Sequence, residues 1–368
     1  MNKLNRRLFF SFLLLFSCST DVKKVLPVSD DRNDLVDSFQ LKDSAFGEYK
    51  TIYIDEEKNE TDIAKIPTKE LHQGKTPEKK KKIEKGNKKL KKKNAEIDIE
   101  NNNEKSVKAY EWDYPEGYPE IYKIYDKKFK YNWDLFKAKR IVGERFGIVI
   151  KYIGVTAGYI TLQTLSDVMI KGKKAIHLRA SLKSADYYKY IYSLDDYIET
   201  YIERSTFLPI KFTLIQRESG QSVDDLQIFD DKNFKTHTWY KRVKKGQIKQ
   251  MEHEEFIPKY IQDSFSALYF VRSLPLKVND VYEFPIATRS KIWILKAVVV
   301  GKEKIEIMDK MVDAIKLQAQ TNFPGVLKKS GDIVFWYSDD EERKILQFSA
   351  KVKIGSLSGE LVDYSVDK

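Results

Sequence analysis

Few residues in this sequence have the types and spacing that chemistry requires. Its four histidines, His72, His177, His237 and His253, are scattered along the chain, whereas a metal site needs donors clustered at fixed spacing. His253 is followed by Glu254, but Ile257 stands where a zinc-binding helix needs its second histidine, so that motif fails. A hydrolase elbow places serine midway between two glycines. In GSLSG, residues 355–359, Leu357 holds that place with Ser356 and Ser358 beside it, and a tight hairpin turn is expected instead. The acidic pairs Asp195-Asp196, Asp224-Asp225, Asp230-Asp231 and Asp339-Asp340 remain. Adjacent carboxylates on a strand point to opposite faces, while glycoside cleavage needs two facing one another across a substrate. Polar turns are their expected role. The expectation is a protein with no enzymatic activity, no metal and no cofactor.

One residue suits a different chemistry. Cys18 is the only cysteine, and it follows MNKLNRRLFFSFLLLFS. Lys3, Arg6 and Arg7 make a positive start, and residues 8–16 make an apolar run far short of the ~20 residues that cross a bilayer as a helix. Residues 1–17 therefore read as a secretory leader. With Leu15 three places ahead of the cysteine and Ser17 immediately ahead, the segment resembles a bacterial lipoprotein signal. Phe16 departs from that pattern, in which a smaller residue is usual. The resemblance implies acylation of Cys18, and several acyl chains anchor a protein stably. It also implies outer-membrane sorting facing the periplasm, because Ser19 rather than an aspartate follows the cysteine; Asp21 lies too far along to act as a retention signal. No cysteine is left for a disulfide framework.

Residues 18–106 are poor in apolar groups and lack a sustained period of 3.6 or 2, which reads as a disordered tether. Between Lys75 and Lys93 lie 11 lysines and 2 glutamates, a net +9 against +11 for the whole chain. The basic character thus sits in the tether. An exported chain gives no access to nucleic acid, so Lys79, Lys80, Lys81 and Lys82 are candidates for contact with anionic lipid or peptidoglycan, where each lysine contributes about 1 kcal/mol. The reading favoured over that contact is a self-repelling spacer that holds the domain off the membrane. An aromatic lead-in follows over 107–140, with Tyr110, Trp112, Tyr114, Tyr118, Tyr122, Tyr125, Tyr131 and Trp133. Such rings can stack on sugars, but packing across a sheet is the expected role. Pro115 and Pro119 favour an extended start and a short helix after it.

From residue 141 the pattern becomes that of strands. Leu346, Phe348, Ala350, Val352 and Ile354 alternate with polar residues, as do Ile176, Leu178, Ala180 and Leu182, so one face is buried and one wet. Similar runs occupy residues 146–153, 159–165, 197–203, 210–216, 292–300 and 312–320. Lys171-Gly172, Ser219-Gly220, Asp230-Asp231 and Ser330-Gly331 signal turns. One helix interrupts in QDSFSALYFVRSLP: Asp263 can cap it, Phe265, Leu268, Tyr269 and Arg272 share a face, and Pro275 ends it. The predicted architecture is mainly β, a curved antiparallel sheet or open half-barrel with one covering helix. Residues 199–214 and 334–350 share a plan of aromatic strand, acidic turn and strand, which suggests two sheet halves around that helix.

The blocks VGERFGIVIKYIGVTAGYITL, DDYIETYIERSTFLPIKF, DSFSALYFVRSLPLKVNDVYEFPI and KIGSLSGELVDY resemble the bacterial domain-of-unknown-function 3108 family of exported proteins. That resemblance implies an envelope protein of β structure, often lipidated, and no activity. The functional expectation is a lipid-anchored periplasmic binding module. Its groove, shut by the helix, would take an apolar ligand, since each buried methylene contributes about 0.8 kcal/mol, or an envelope protein. The alternative is a structural scaffold of an envelope complex, and an envelope-polymer hydrolase is the third reading.

Overall fold

The computed structural model describes residues 34–54, 113–188, 192–289, 291–322, 330–351 and 356–367. The chain divides into two compact units: Met1–Ile54 with Tyr114–Lys368, and Asp55–Asp113. The second, Asp113 apart, lies outside the described residues.

The first unit begins with α1 (Leu35–Ser38), β1 (Ile52–Tyr53) and α2 (Glu120–Leu135). Next come β2 (Glu144–Tyr152), β3 (Val155–Ile170), β4 (Lys173–Ser184), β5 (Asp195–Glu203), β6 (Pro209–Glu218), β7 (Gln221–Asp230), β8 (Lys235–Lys244) and β9 (Gln247–Phe256). After β10 (Gln262–Asp263) and α3 (Ser266–Arg272), the chain finishes with β11 (Val281–Thr288), β12 (Lys291–Ile307), β13 (Lys310–Asn322), β14 (Ser330–Ser338), β15 (Ile345–Lys351) and β16 (Ser356–Val366). Among the described residues these strands form one sheet in the order β10 to β16, then β2 to β9, with β1 added beside β3. Every pairing is antiparallel except β10 with β11. The sheet is open, and the fold class read from alternation holds.

Its hollow is filled. Thr200 on β5 bonds Asp263 at β10, the Gln262 amide donates to the Phe207 carbonyl at 2.8 Å, and Arg289 beyond β11 pairs with Asp225 on β7. The β10–β11 end is therefore tucked against the inner face of β5 to β7. The 7 residues of α3 sit within this fold, and Ser266, Ala267, Tyr269, Phe270, Val271 and Arg272 are all buried. Phe270 has Trp133 at 4.2 Å, Phe284 at 5.0 Å and Phe136 stacked at 5.1 Å between ring centroids. A helix buried on both flanks plugs the sheet. Phe265, Tyr269 and Arg272, expected on a groove-covering face, are buried here.

Two further expectations change, and a third, the packing of the aromatic lead-in, holds. The tether was expected to run from 18 to 106, but residues 34–54 fold onto the sheet through Leu35, Val36 and Tyr49. Sparse apolar residues are enough when a ready apolar surface receives them. In sequence the lysine run therefore lies between two segments of the same unit, outside the described residues. Residues 107–112 of the aromatic lead-in lie outside the described residues, while Tyr118, Phe129 and Trp133 pack into the sheet's unit and α2 lies on β11. Finally, two glycine signals near the C-terminus fall on strands among the described residues, which do not include Gly355. Ser330-Gly331 opens β14, and Ser356, Ser358 and Gly359 lie in β16. Gly359 pairs directly with Phe348, and a Cβ there would stand 2.2 Å from that ring, so glycine serves close packing.

Candidate functional site

The outward positions of β4, β5 and β6 carry the densest cluster of ionisable groups among the described residues. Period-two geometry puts His177 and Arg179 on one face of β4 and Tyr197, Glu199 and Tyr201 on the same face of β5. Register then sets His177 opposite Tyr201 and Arg179 opposite Glu199. Glu199 accepts from His177 Nε2 at 2.6 Å, from Arg179 Nε and Nη2 at 3.1 Å, and from the Tyr197 and Tyr201 hydroxyls at 2.8 Å. The His177 ring stacks on Tyr201 at 4.6 Å. Burial pushes the Glu199 carboxyl up, but His177, Arg179 and Tyr197 outweigh it and hold the group at about 2. Four of these bonds converge on Oε1 and the Tyr201 hydroxyl takes Oε2, so the ionised carboxylate is held firmly in place. It works as a clamp between strands.

The sign of its pH dependence follows. Glu199 is held below its ordinary 4.5, so its contribution to stability is complete above that value and is lost as pH falls toward about 2. We expect Glu199→Gln to be markedly less stable than the native chain at neutral pH. The gap in urea midpoint should narrow as pH approaches 3. A gap independent of pH would show that charge plays no part.

The outward residues of β4 were expected to be wet, yet His177 is 1% and Arg179 8% exposed. The N-terminal segment covers this face. Asp34 Oδ1 caps α1 by accepting from Val36 N at 3.0 Å, and Oδ2 accepts from Thr51 N at 3.0 Å and Lys211 Nζ at 2.7 Å. Lys211 is fully buried, donates also to Thr51 Oγ1 at 2.7 Å and lies 4.7 Å over the Tyr201 ring. Burial drives the Lys211 ammonium below its usual range, while Lys211 and the two backbone donors keep Asp34 low against its own burial. Around this ion pair Leu35, Val36 and Tyr49 pack on Val168, Ile170, Leu226 and Ile228. Phe46 meets His237 and Trp239 at 4.7 Å each. β1 adds to β3 through Ile52 with Met169 and Tyr53 with Val168.

A second buried pair lies inside. Arg272 at the end of α3 donates to both Glu144 oxygens at 2.6 Å and to the Glu342 carbonyl at 2.7 and 3.1 Å. The Tyr364 hydroxyl reaches Glu144 at 3.2 Å. Of the residues expected to line a groove, Phe265, Tyr269 and Arg272 are buried and Leu268 is partly so, and Arg272 serves this pair instead. Cys18, Lys79, Lys80, Lys81, Lys82 and His72 lie outside the described residues. His253 is exposed and bonds Glu255 at 2.8 Å.

The acidic pairs divide. Asp230 and Asp340 cap turns by accepting from backbone amides, as expected. Asp195-Asp196 and Asp224-Asp225 instead lie on β5 and β7. Asp224 bonds Arg217 at 2.7 Å, whereas Asp225 pairs with Arg289. Asp196 has the most acid-like setting, since burial, aided by the charge of Glu218, pushes it to about 6. Asp196 and Glu218 share the Gln216 amide at 3.0 and 3.3 Å. A shallow cleft of about 500 Å³ adjoins them, lined by Glu218 with Arg217, Ser219 and Gln221, but Asp196 does not reach it.

Sequence reasoning missed the Glu199 and Lys211 networks. A charged residue within an alternating strand reads as solvent-facing, and only pairing register with a distant covering segment makes it buried. The one available signal was Asp34 preceding an apolar pair, a helix-cap pattern.

Residues 148–362 match the family described as Protein of unknown function (DUF3108). No curated protein matches the chain. Among solved structures, the chain is similar to a β-barrel-like protein of domain of unknown function 1849 from Brucella abortus, at 10% identity and TM-score 0.42, over 62% of this chain and 99% of that one. It is also similar to a candidate lipoprotein from Parabacteroides distasonis, at 10% identity and TM-score 0.29, over 63% and 99%. A candidate exported protein from Bacteroides fragilis stands at 9% and 0.29, again over 63% and 99%.

Proposed function

Because the chain belongs to the family described as Protein of unknown function (DUF3108), a name that carries no activity, we propose its role from its own geometry: a non-enzymatic docking module anchored to the cell envelope. In this reading Cys18 is acylated, the protein sits at the outer membrane facing the periplasm, and the sheet presents its surface to an envelope protein or to peptidoglycan. Lys79 to Lys82 touch anionic lipid or cell wall.

The observation that carries the reading is Asp34. Sixteen residues beyond Cys18, the chain is bonded to Lys211 within the sheet. Fully extended, that span reaches about 55 Å. The sheet therefore hangs on a short leash joined to its outer face, which suits a module held at a membrane to meet a partner. The filled interior around Phe270 supports docking over carriage of an acyl chain, because aromatic rings occupy the space between sheet and helix. The interstrand bonding of Glu199 and the separate partners of Asp224 and Asp225 support a structural role for these carboxylates.

Native mass spectrometry of the chain extracted from the envelope tests this. The expected mass is that of the polypeptide from Cys18 with its acyl groups and nothing more. A further lipid bound in equal amount would contradict docking and restore the carrier reading.

A further inference from the structure

We propose that the outer face of α2 lies on an anionic phospholipid surface, so that this helix sets which side of the sheet the membrane sees; the proposal rests on the anchored reading above. The helix packs inward through the aromatic Phe129 and Trp133, yet leaves aliphatic side chains outside. Its buried side holds Asp126 and Asn132 beside Phe129, while Ile121 is 48%, Ile124 58% and Tyr131 63% exposed. At 100° per residue these three fall within one stripe about 80° wide, with Lys128 inside it, Lys127 and Glu120 at its edge, and Lys123 and Lys130 farther round the same flank.

The polar groups inside are satisfied. Asp126 accepts from the Tyr118 hydroxyl at 2.7 Å and from Lys259 N at 2.6 Å, and the Asn132 amide donates to the Glu283 carbonyl at 2.7 Å. That bonding fixes the rotation of the helix and keeps the isoleucines outside. The stripe extends onto β11. Lys128 bonds Glu283 at 2.5 Å, and Val281, two residues earlier on the same strand face, is 52% exposed.

An apolar stripe bordered by lysines and ending in tyrosine is the pattern of a helix lying in the headgroup region, with its rings and aliphatic groups at the acyl boundary. The lysines match a negative lipid surface. Their partners Glu120 and Asp134 make exposed pairs of the weak kind that a charged membrane can replace.

The acylated chain reconstituted into phospholipid vesicles provides the test. Cys18 is the sole cysteine and is consumed by acylation, so Ile124→Cys carries a single polarity-sensitive fluorophore, and Ile248→Cys on β9 serves as the control. Both positions are exposed, so neither label disturbs the core. We expect blue-shifted, brighter emission at 124 in vesicles containing phosphatidylglycerol, a smaller shift without it, and water-like emission at 248. Protein that floats with the vesicles while both labels stay water-like would overturn the helix contact alone. Protein left in solution would overturn the anchor and the contact together.

Discussion

Arg272→Ala lowers the stability of the folded unit by about 3–5 kcal/mol, the cost of leaving a buried carboxylate without its partner. Both side chains of the Arg272–Glu144 pair are 0% exposed. The guanidinium meets the carboxylate through two parallel 2.6 Å bonds, the geometry of the strongest charge-assisted pairs. Burial works against the Arg272 charge, and Glu144 more than offsets it, holding the group above its usual value. The pair also positions elements: it ties the last turn of α3 to the first residue of β2 and, through the Glu342 carbonyl, to the loop before β15. Glu144→Ala should be equally severe. Replacing both by apolar residues, as in Arg272→Met with Glu144→Leu, should recover most of the loss, since neither charge is then stranded. Chemical denaturation of the three variants measures this. A double variant as weak as either single one would show that the site acts by shape and not by charge.

Asp34→Ala strands the buried Lys211 ammonium and is expected to cost about 3 kcal/mol. Asp34 makes three bonds: one within α1, one to Thr51 at the other end of the covering segment, and one to the sheet. Losing it should loosen residues 34–54 before the sheet itself opens, because their remaining attachments are a two-residue strand, the bonds of Lys171 to Glu48 and Tyr49, and the packing of Phe46 and its apolar neighbours. Amide exchange would then rise at Val36 and Thr51 while β4 and β5 stay protected. Lys211→Met should restore protection to the Asp34→Ala chain, as the remaining methylenes suit the apolar surroundings of Leu226 and Ile228. Unchanged exchange in Asp34→Ala would mean that the apolar contacts alone hold the segment.

What the sequence made legible was local. Alternation in β4 and β15 and the apolar runs of β2, β3, β5, β6, β12 and β13 announced a mainly β fold, because period two needs only neighbours along the chain. Strands β8 and β9 were invisible to that reading. In QIKQMEHEEF nearly every residue is exposed, so no face was marked as buried and no alternation arose. The helix α3 was located, but its surroundings were not: one face looked apolar, whereas the tucked β10–β11 end and Trp133 from α2 bury the other flank too. Arg272 reads as part of that helix's covering face until Glu144, 128 residues away, is brought to it. The same holds for Lys211 and Asp34, which are 177 apart. Long-range ion pairs leave no local pattern, and they are what fixes the site.

The anchor bears the rest. Detergent-phase partitioning of the protein from cell envelopes, native against Cys18→Ser, tests it most directly. The account predicts that the native chain enters the detergent phase and that Cys18→Ser moves it to the aqueous phase with its fold intact. A native chain that stays aqueous, or one whose partitioning ignores the substitution, would contradict it.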